Sequence, residues 1–169
     1  MFRPEIKVID CTVRDGGLMN KWQFDDNFVR KVYTSLTEAG IDYMEIGYLS
    51  SESAFSREEY GPWKFCAEKD LKRIIGDGEK KIMLSAMADI GRIEYNDIRP
   101  RAESSLDMVR VACYVHQIDK AIDLKMLRLH AERLADLVLT PAMPSAQRMG
   151  ARDLAPARSE DPVSPALRL

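Results

Sequence analysis

The sequence predicts an α/β protein in which helices cover a parallel sheet. Short apolar runs rich in β-branched residues alternate with segments of helical periodicity over residues 1–139. Strands that form continuous apolar runs are typical of parallel sheets, because both faces of such a sheet are buried. The chain has 169 residues, of which 46% are hydrophobic and 31% charged, and this composition is typical of a globular protein with a single core.

The predicted elements follow one another as strand, helix, strand, helix. Four strands are predicted, at residues 7–11, 42–48, 81–88 and 108–114. Helices, or a helical or irregular crossover in the second case, are predicted at residues 25–39, 63–75 and 116–139. Asp25 can cap the first helix and Gly40 can end it, while Gly76 and Gly78 close the crossover.

Residues 140–169 differ in composition from the rest of the chain. Five prolines alternate there with Ala, Arg and Ser without periodicity, at positions 141, 144, 156, 162 and 165. Because proline lacks a backbone donor and disfavours helix at the residue before it, this segment is not expected to form regular structure. We therefore predict a folded domain over 1–139 and a disordered tail over 140–169, whose removal at Thr140 should leave the thermal stability unchanged.

Charge and cysteine content argue against several classes of function. A formal net charge of -2 gives neither the basic surface that nucleic acids require nor a cationic face for a membrane, so neither partner is predicted. No apolar run is long enough for a signal peptide or a membrane span. The widely spaced Cys11, Cys66 and Cys113 are predicted to be unpaired thiols, with Cys11 and Cys113 inside apolar strands. These features predict a cytoplasmic protein.

Two architectures compete for this order of strands and helices. An open doubly wound sheet fits a domain of about 140 residues, whereas a closed eight-stranded barrel needs about 250. Polar residues lie at or near the carboxyl ends of three predicted strands, namely Arg14 and Asp15, Glu45, and Asp89. In either architecture this edge of the sheet is the active-site face.

The segment that follows the first strand, residues 12–17 (TVRDGG), is the sharpest candidate site. The Asp15 carboxylate can bind a hard divalent cation through oxygen, and the Arg14 guanidinium can bind an enolate or a carboxylate in bidentate fashion. Gly16 and Gly17 would let the backbone approach a ligand closely and adopt positive φ. The alternative interpretation is a tight turn with a surface Arg-Asp pair.

Residues 9–17 (IDCTVRDGG) and 39–48 (AGIDYMEIGY) resemble the opening of a family of metal-dependent barrels. That family includes 4-hydroxy-2-oxovalerate aldolase, hydroxymethylglutaryl-CoA lyase, isopropylmalate synthase and homocitrate synthase. The paired glycines followed by Trp22 are more similar to the aldolase-like branch than to the lyase proper. The resemblance extends through Asn20 and Phe24 and then through residues 63–65, 88–91 and 107–112, and it ends near Leu124.

The resemblance implies a fold, a chemistry and three site residues. The fold would be a partial (β/α)8 TIM barrel of about four βα units, and the activity would be carbon-carbon bond cleavage or formation on a 2-oxo acid. Asp15 would ligate a divalent metal, commonly Mg, Mn or Zn in this family, and Arg14 would stabilise the enolate oxygen of a pyruvate-type substrate. Glu45 would hold Arg14 or polarise a metal-bound water. Asp89 has a turn or cap as its alternative role.

Two departures from the family pattern put the activity of this chain in doubt. The family's metal site is completed by a His-X-His pair on a late strand, but this chain has only His116 and His130, which do not form that pair. Four strands cannot close an eight-stranded barrel, so open sheet edges would be available for self-association. The family-like pattern stops at 123–125, as it would in a frameshifted or truncated gene product.

Three functions therefore stay open at this point. The chain is the first part of an aldolase or acyltransferase completed by another chain, or a binding module without activity, or a non-functional fragment that associates through its edges. The late loops of the barrel, which would recognise the substrate, have no counterpart in this sequence. Neither the substrate within the family nor the metal follows from the sequence.

Overall fold

The computed structural model describes residues 3–123 and a strand at Asp136–Pro141. Five strands form one sheet, and they are β1 (Ile9–Asp10), β2 (Tyr43–Tyr48), β3 (Met83–Asp89), β4 (Met108–Cys113) and β5 (Asp136–Pro141). The α-helices with described bounds are α1 (Thr12–Asn20), α2 (Asp26–Glu38) and α3 (Glu68–Ile75). Short 3-10 turns occupy Pro62–Lys64, Tyr95–Asp97, Arg101–Glu103 and Val115–Gln117, and residues 118–123 are helical.

The strand order identifies the kind of α/β fold. Every neighbouring pair is parallel, and the order in the sheet is β1-β2-β3-β4-β5, which is the order along the chain. A doubly wound sheet reverses its strand order at a switch point, whereas consecutive neighbours in one direction are typical of a (β/α)8 barrel. The predicted α/β fold with a parallel sheet is therefore confirmed, and its strand order is that of the predicted partial barrel rather than that of an open doubly wound sheet.

Helix α2 forms as its sequence predicts. The Asp25 side chain accepts a hydrogen bond of 2.8 Å from the backbone N–H of Phe28, which satisfies a free donor of the first turn. Gly40 follows the helix with φ at +71°, a conformation that costs glycine little. Val29 and Tyr33 are the buried residues on its inner face.

The structure differs most from the predicted elements in two places. Residues 12–17, predicted as a glycine-bearing loop, begin helix α1, and neither Gly16 nor Gly17 has positive φ. Residues 136–139, predicted as the end of a helix, belong to β5, which extends through Thr140 and Pro141. A short apolar run such as 137–139 (LVL) fits a buried strand as well as a helix, so periodicity could not separate the two. The folded part passes the predicted boundary at 139, and residues 142–169 of the predicted tail lie outside the described residues.

The core lies between the sheet and helices α2 and α3. The strands contribute fully buried apolar side chains, among them Met44, Ile46, Leu84 and Val111. From outside the sheet, Trp63, Leu71 and Ile74 are buried to the same degree, and all belong to one cluster. Burying such side chains stabilises the fold by about 1.5–3 kcal/mol each. Within residues 3–123 no helix has both the length and the apolarity to cross a bilayer.

Gly17 shows why helix α1 carries glycine next to Trp22. A Cβ atom at Gly17 would lie 2.0 Å from Cδ1 of Trp22, whose side chain is buried. The indole occupies the space that any side chain at position 17 would require. Glycine costs about 1 kcal/mol in a helix interior, so the packing of Trp22 outweighs the local helix propensity here.

We expect Gly17→Ala to destabilise the protein by about 1–3 kcal/mol, because the indole must move despite the gain in helix propensity. Gly78→Ala is the matched control, since a Cβ there meets nothing within 4 Å. That control should be neutral or slightly stabilising. Denaturant unfolding of both variants measures the difference, and equal stabilities would show that Trp22 does not pack against α1 as described.

Candidate functional site

The start of α1 places two of the predicted site residues at the carboxyl end of β1. The Asp10 carboxylate accepts hydrogen bonds of 3.0 Å from the backbone N–H of Thr12 and 2.9 Å from its hydroxyl, which fixes the first turn. Arg14 and Asp15 follow within that turn. A carboxylate such as Asp15 is favoured there by the helix dipole.

Glu45 lies on β2 and is completely buried. The Arg14 Nε donates a hydrogen bond of 2.8 Å to Oε2 of Glu45, and Nη1 of the same guanidinium donates to the Asp15 carboxylate. The three side chains singled out by the sequence therefore meet at one place. Sharing one guanidinium between two carboxylates fixes its plane.

Arg110, on β4, was missed by the sequence interpretation and completes the arrangement. Its Nε donates to Oε1 of Glu45 at 2.7 Å and its Nη2 donates to Oε2 at 2.5 Å, in a bidentate pair. The thiol of Cys11 lies 3.3 Å from Oε2, and the hydroxyl of Ser85 lies 3.5 Å from Oε1. The sequence feature that could have identified Arg110 is its position as a charged residue inside an otherwise apolar strand (MVRVAC).

The two arginines keep Glu45 ionised. Burial acts to raise the pKa of this carboxyl, but the hydrogen bonds and charges of Arg110 and Arg14 outweigh it, so the pKa lies below the usual range. Burial likewise acts to lower the pKa of Arg14, and the charge and hydrogen bond of Glu45 reverse that effect. A carboxylate with these partners does not exchange protons near neutral pH. Its position fits holding Arg14 rather than activating a water molecule.

Asp15 does not form a metal site with the other described residues. Its side chain is 57% exposed and paired with Arg14. Within residues 3–123 no group of three His, Cys, Asp or Glu side chains is placed to hold an ion. His116 lies in the turn Val115–Gln117 with its ring stacked on Tyr114 at 5.6 Å, and His130 is outside the described residues. The described residues therefore contribute one carboxylate, which by itself does not fit a tightly bound metal.

Asp89, the fourth polar residue at this edge, has a structural role. It ends β3, and its carboxylate lies 3.3 Å from Nη1 of Arg92 three residues later. The backbone N–H of Arg92 donates to the Asp89 carbonyl at 3.0 Å. Asp89 thus stabilises the turn after β3, which was the alternative role that the sequence left open.

The cysteines provide a test of the burial around Glu45. Within the described residues Cys11, Cys66 and Cys113 are free thiols, as predicted; Cys66 and Cys113 are buried and Cys11 is half-buried. Burial raises the pKa of Cys66, and burial together with the Glu45 charge raises the pKa of Cys11. The predicted position of Cys11 inside a strand is wrong, because β1 ends at Asp10 and Cys11 lies just beyond it.

We expect Cys11 to react slowly with a thiol reagent in native buffer, because little of it is thiolate, and Cys66 and Cys113 to react only after unfolding. Mass spectrometry of peptides labelled over time gives the order. Glu45→Gln should speed the labelling of Cys11, since the neighbouring negative charge is gone. Rapid native labelling of Cys66 or Cys113 would contradict the described core.

Comparisons with known proteins place this geometry in a family context. No protein-family profile matches the chain. It is 28% identical over 116 residues to the 4-hydroxy-2-oxovalerate aldolase of Pelotomaculum thermopropionicum, covering 69% of this chain and 34% of that protein. The enzyme of the same name from Moorella thermoacetica is 28% identical over 121 residues, covering 70% and 35%. An oxaloacetate decarboxylase of Mycobacterium tuberculosis is 33% identical over 112 residues, covering 62% and 30%.

A solved structure supports the same fold. The N-terminal domain of a candidate aldolase from Bacteroides vulgatus superimposes with a TM-score of 0.66 at 24% identity, covering 86% of this chain and 48% of that one. The chain spans about a third of the length of the curated relatives it matches. Its N-terminal portion is similar in sequence to proteins named 4-hydroxy-2-oxovalerate aldolase and shares the fold of an aldolase N-terminal domain, which confirms the resemblance seen in the sequence.

Proposed function

We propose that this chain carries the N-terminal part of an aldolase-type active site, in which Arg14 binds the enolate oxygen of a 2-oxo acid. The observation that carries the proposal is the guanidinium of Arg14, held at the carboxyl edge of β1 and β2 by the buried carboxylate of Glu45. The relatives named as 4-hydroxy-2-oxovalerate aldolases support this class of reaction. Full activity would require groups from outside the described residues.

The arrangement suits the stabilisation of negative charge on oxygen. Nε and Nη1 of Arg14 are bound to carboxylates, whereas Nη2 makes no hydrogen bond to a carboxylate within residues 3–123 and would be the nitrogen that binds a ligand. The phenol of Tyr48 lies beside the same guanidinium and offers a second donor; burial raises its pKa, so it stays protonated. Donors fixed before the reaction stabilise an enolate without reorganising as the charge develops.

In this proposal, Asp15 is the described residue that would bind a divalent metal. When bound, such an ion would polarise the carbonyl of the 2-oxo acid as a Lewis acid. Asp15, which is exposed and near Arg14, could supply one oxygen ligand. The other ligands would have to come from outside the described residues, and no step is assigned to the metal here.

We expect this chain alone to show no Mn²⁺ or Mg²⁺ site tighter than about millimolar, because one carboxylate competes poorly with water for a hard cation. Isothermal calorimetry with the full chain measures this. Asp15→Asn should leave the weak signal unchanged or remove it. A micromolar site that survives Asp15→Asn would show that the metal is bound elsewhere.

The proposed function is tested by complementation. The full chain is mixed with the remaining two thirds of a 4-hydroxy-2-oxovalerate aldolase, and pyruvate release from a 4-hydroxy-2-oxo acid is followed. Metal-dependent release that requires both components supports the proposal. A stable complex without any cleavage would favour the binding module instead, and gel filtration showing only large self-associated species would favour the fragment that associates through its sheet edges.

A further inference from the structure

Lys64 is a buried lysine at the same edge of the sheet. It ends the turn Pro62–Lys64 and is only 3% exposed. The turn is fixed on both sides: the backbone N–H of Gly61 donates to the Lys21 carbonyl at 2.9 Å, and Nε1 of Trp63 donates to the Phe24 carbonyl at 3.0 Å. The position of the Lys64 amine is therefore set by the fold rather than by a flexible surface segment.

Aromatic rings surround this amine. Nζ lies 4.3 Å from the ring centres of Trp22 and Tyr48, 4.1 Å from that of Phe55 and 6.0 Å from that of Tyr60, and we call these four rings the aromatic enclosure. Within residues 3–123 none of the ion pairs or hydrogen bonds involves the Lys64 side chain. By contrast, Lys7, Lys21 and Lys80 each contact a carboxylate.

Opposing effects act on the charge of Lys64. Burial disfavours the ammonium form, the nearby charge of Asp89 favours it, and Arg92 disfavours it, with the net result that the pKa falls to about 8. The faces of the four rings also attract an ammonium, which is what makes the buried charged form tolerable. Burial without a carboxylate partner makes the neutral form, which is the nucleophilic one, more populated for Lys64 than for an exposed lysine.

The aromatic enclosure connects Lys64 to Arg14. Nε1 of Trp22 donates a hydrogen bond of 2.9 Å to the backbone carbonyl of Arg14, while the Trp22 ring packs edge-on against Tyr48 with centres 5.2 Å apart. Tyr48 in turn lies beside the Arg14 guanidinium. Tyr48 is thus a neighbour of both the Lys64 amine and the Arg14 guanidinium, while Trp22 joins the aromatic enclosure to the backbone of Arg14.

We propose that Lys64 is an imine-forming amine, which reacts with the carbonyl carbon of a small aldehyde or 2-oxo acid that enters at this edge. The neutral amine adds its lone pair to the carbonyl carbon, and a proton passes from nitrogen to oxygen to give a carbinolamine. Loss of the hydroxyl group and of the second N–H proton as water leaves the C=N bond. The step consumes no oxidant or reductant, and it needs neither a metal nor the aldolase function proposed above.

Hydride trapping in the full chain tests the proposal. The protein is incubated with pyruvate or glyoxylate and sodium cyanoborohydride, digested, and the adduct on each lysine peptide is followed over time by mass spectrometry. Lys72, on α3 with a side chain 70% exposed, is the internal reference. At pH 7 about a tenth of an amine with pKa 8 is neutral, against about one part in 3,000 for an ordinary lysine.

We expect Lys64 to be modified at least about 10-fold faster than Lys72, with a rate that is half-maximal near pH 8. Lys64→Arg should remove the dominant adduct, and Lys72→Arg should leave it in place. Labelling of Lys64 no faster than Lys72, or only in denaturant, overturns the proposal and leaves the aromatic enclosure as a packing feature. Because the comparison is made inside the unmodified protein, it holds even where Lys64→Arg does not fold.

Discussion

Replacing Glu45 with glutamine should lower the free energy of unfolding by about 3–5 kcal/mol, although the two side chains have nearly the same shape. The substitution removes the negative charge that faces two guanidiniums, those of Arg14 and Arg110, whose side chains are 15% and 16% exposed. Arg110 would be left largely buried and unpaired, and Arg14, close to it, would keep only its exposed partner Asp15. Leaving a buried charge uncompensated is among the few mechanisms that give losses of this size.

Glu52→Gln is the matched control, because it also removes one carboxylate from an arginine pair but at an exposed position. It should leave the unfolding midpoint unchanged. Replacing Glu45, Arg14 and Arg110 together with methionine should cost less than Glu45→Gln alone, since no unpaired charge remains. Equal stability of Glu45→Gln and the wild type in denaturant unfolding would contradict the described cluster.

The pH dependence of stability, compared between the wild type and Glu45→Gln, provides an independent test of this cluster. The pKa of Glu45 is lowered in the folded state, with burial opposing the shift and Arg110 and Arg14 dominating it. Its contribution to stability is therefore present above the unfolded value of about 4.3 and is lost as the pH falls through the folded value. The stability gap between wild type and Glu45→Gln should narrow only below about pH 4.

Local sequence patterns were enough to predict strands β1 to β4, helix α2 and the meeting of Arg14 with Glu45. Strands β2, β3 and β4 are apolar runs bounded by polar residues, and their direction follows from the intervening helices. Once β1 and β2 are parallel neighbours, residues at their carboxyl ends must lie close together, so Arg14 and Glu45 meet. These inferences needed only periodicity and the rule that parallel strands end at the same edge.

The features of the fold and of the site that could not be predicted depend on contacts between residues far apart in the sequence. Arg110 reaches Glu45 because of the register across β3, in which Glu45 pairs with Ser85 and Met87 with Arg110. A shift of one residue would turn Arg110 to the other face of the sheet. Helix α1 was missed for a similar reason, since paired glycines predict a loop until the packing of Trp22 is known. The aromatic enclosure of Lys64 likewise gathers residues that lie far apart in the sequence, from Trp22 to Tyr60.

In the complemented enzyme, Arg14→Ala should slow turnover by about 100–1,000-fold, the usual loss when one charge-stabilising donor is removed. The protein should remain folded, because Arg110 alone makes two hydrogen bonds to Glu45 and keeps that carboxylate paired. Arg14→Lys should recover only part of the rate, since an ammonium keeps the charge but lacks the planar fork. Asp15→Asn should abolish turnover if Asp15 carries the metal.

The decisive comparison separates the rate of the chemical step from folding and binding. Arg30→Ala, an exposed arginine on α2, is the control for loss of a guanidinium and should turn over normally. Arg14→Ala should lower kcat more than it raises KM, because the negative charge of the enolate develops only after the substrate has bound. A folded, metal-binding Arg14→Ala complex with unchanged kcat would show that Arg14 serves only as a partner of Glu45. The oxyanion would then have to be stabilised by another donor at this edge, and Tyr48, which lies beside Arg14, is a candidate.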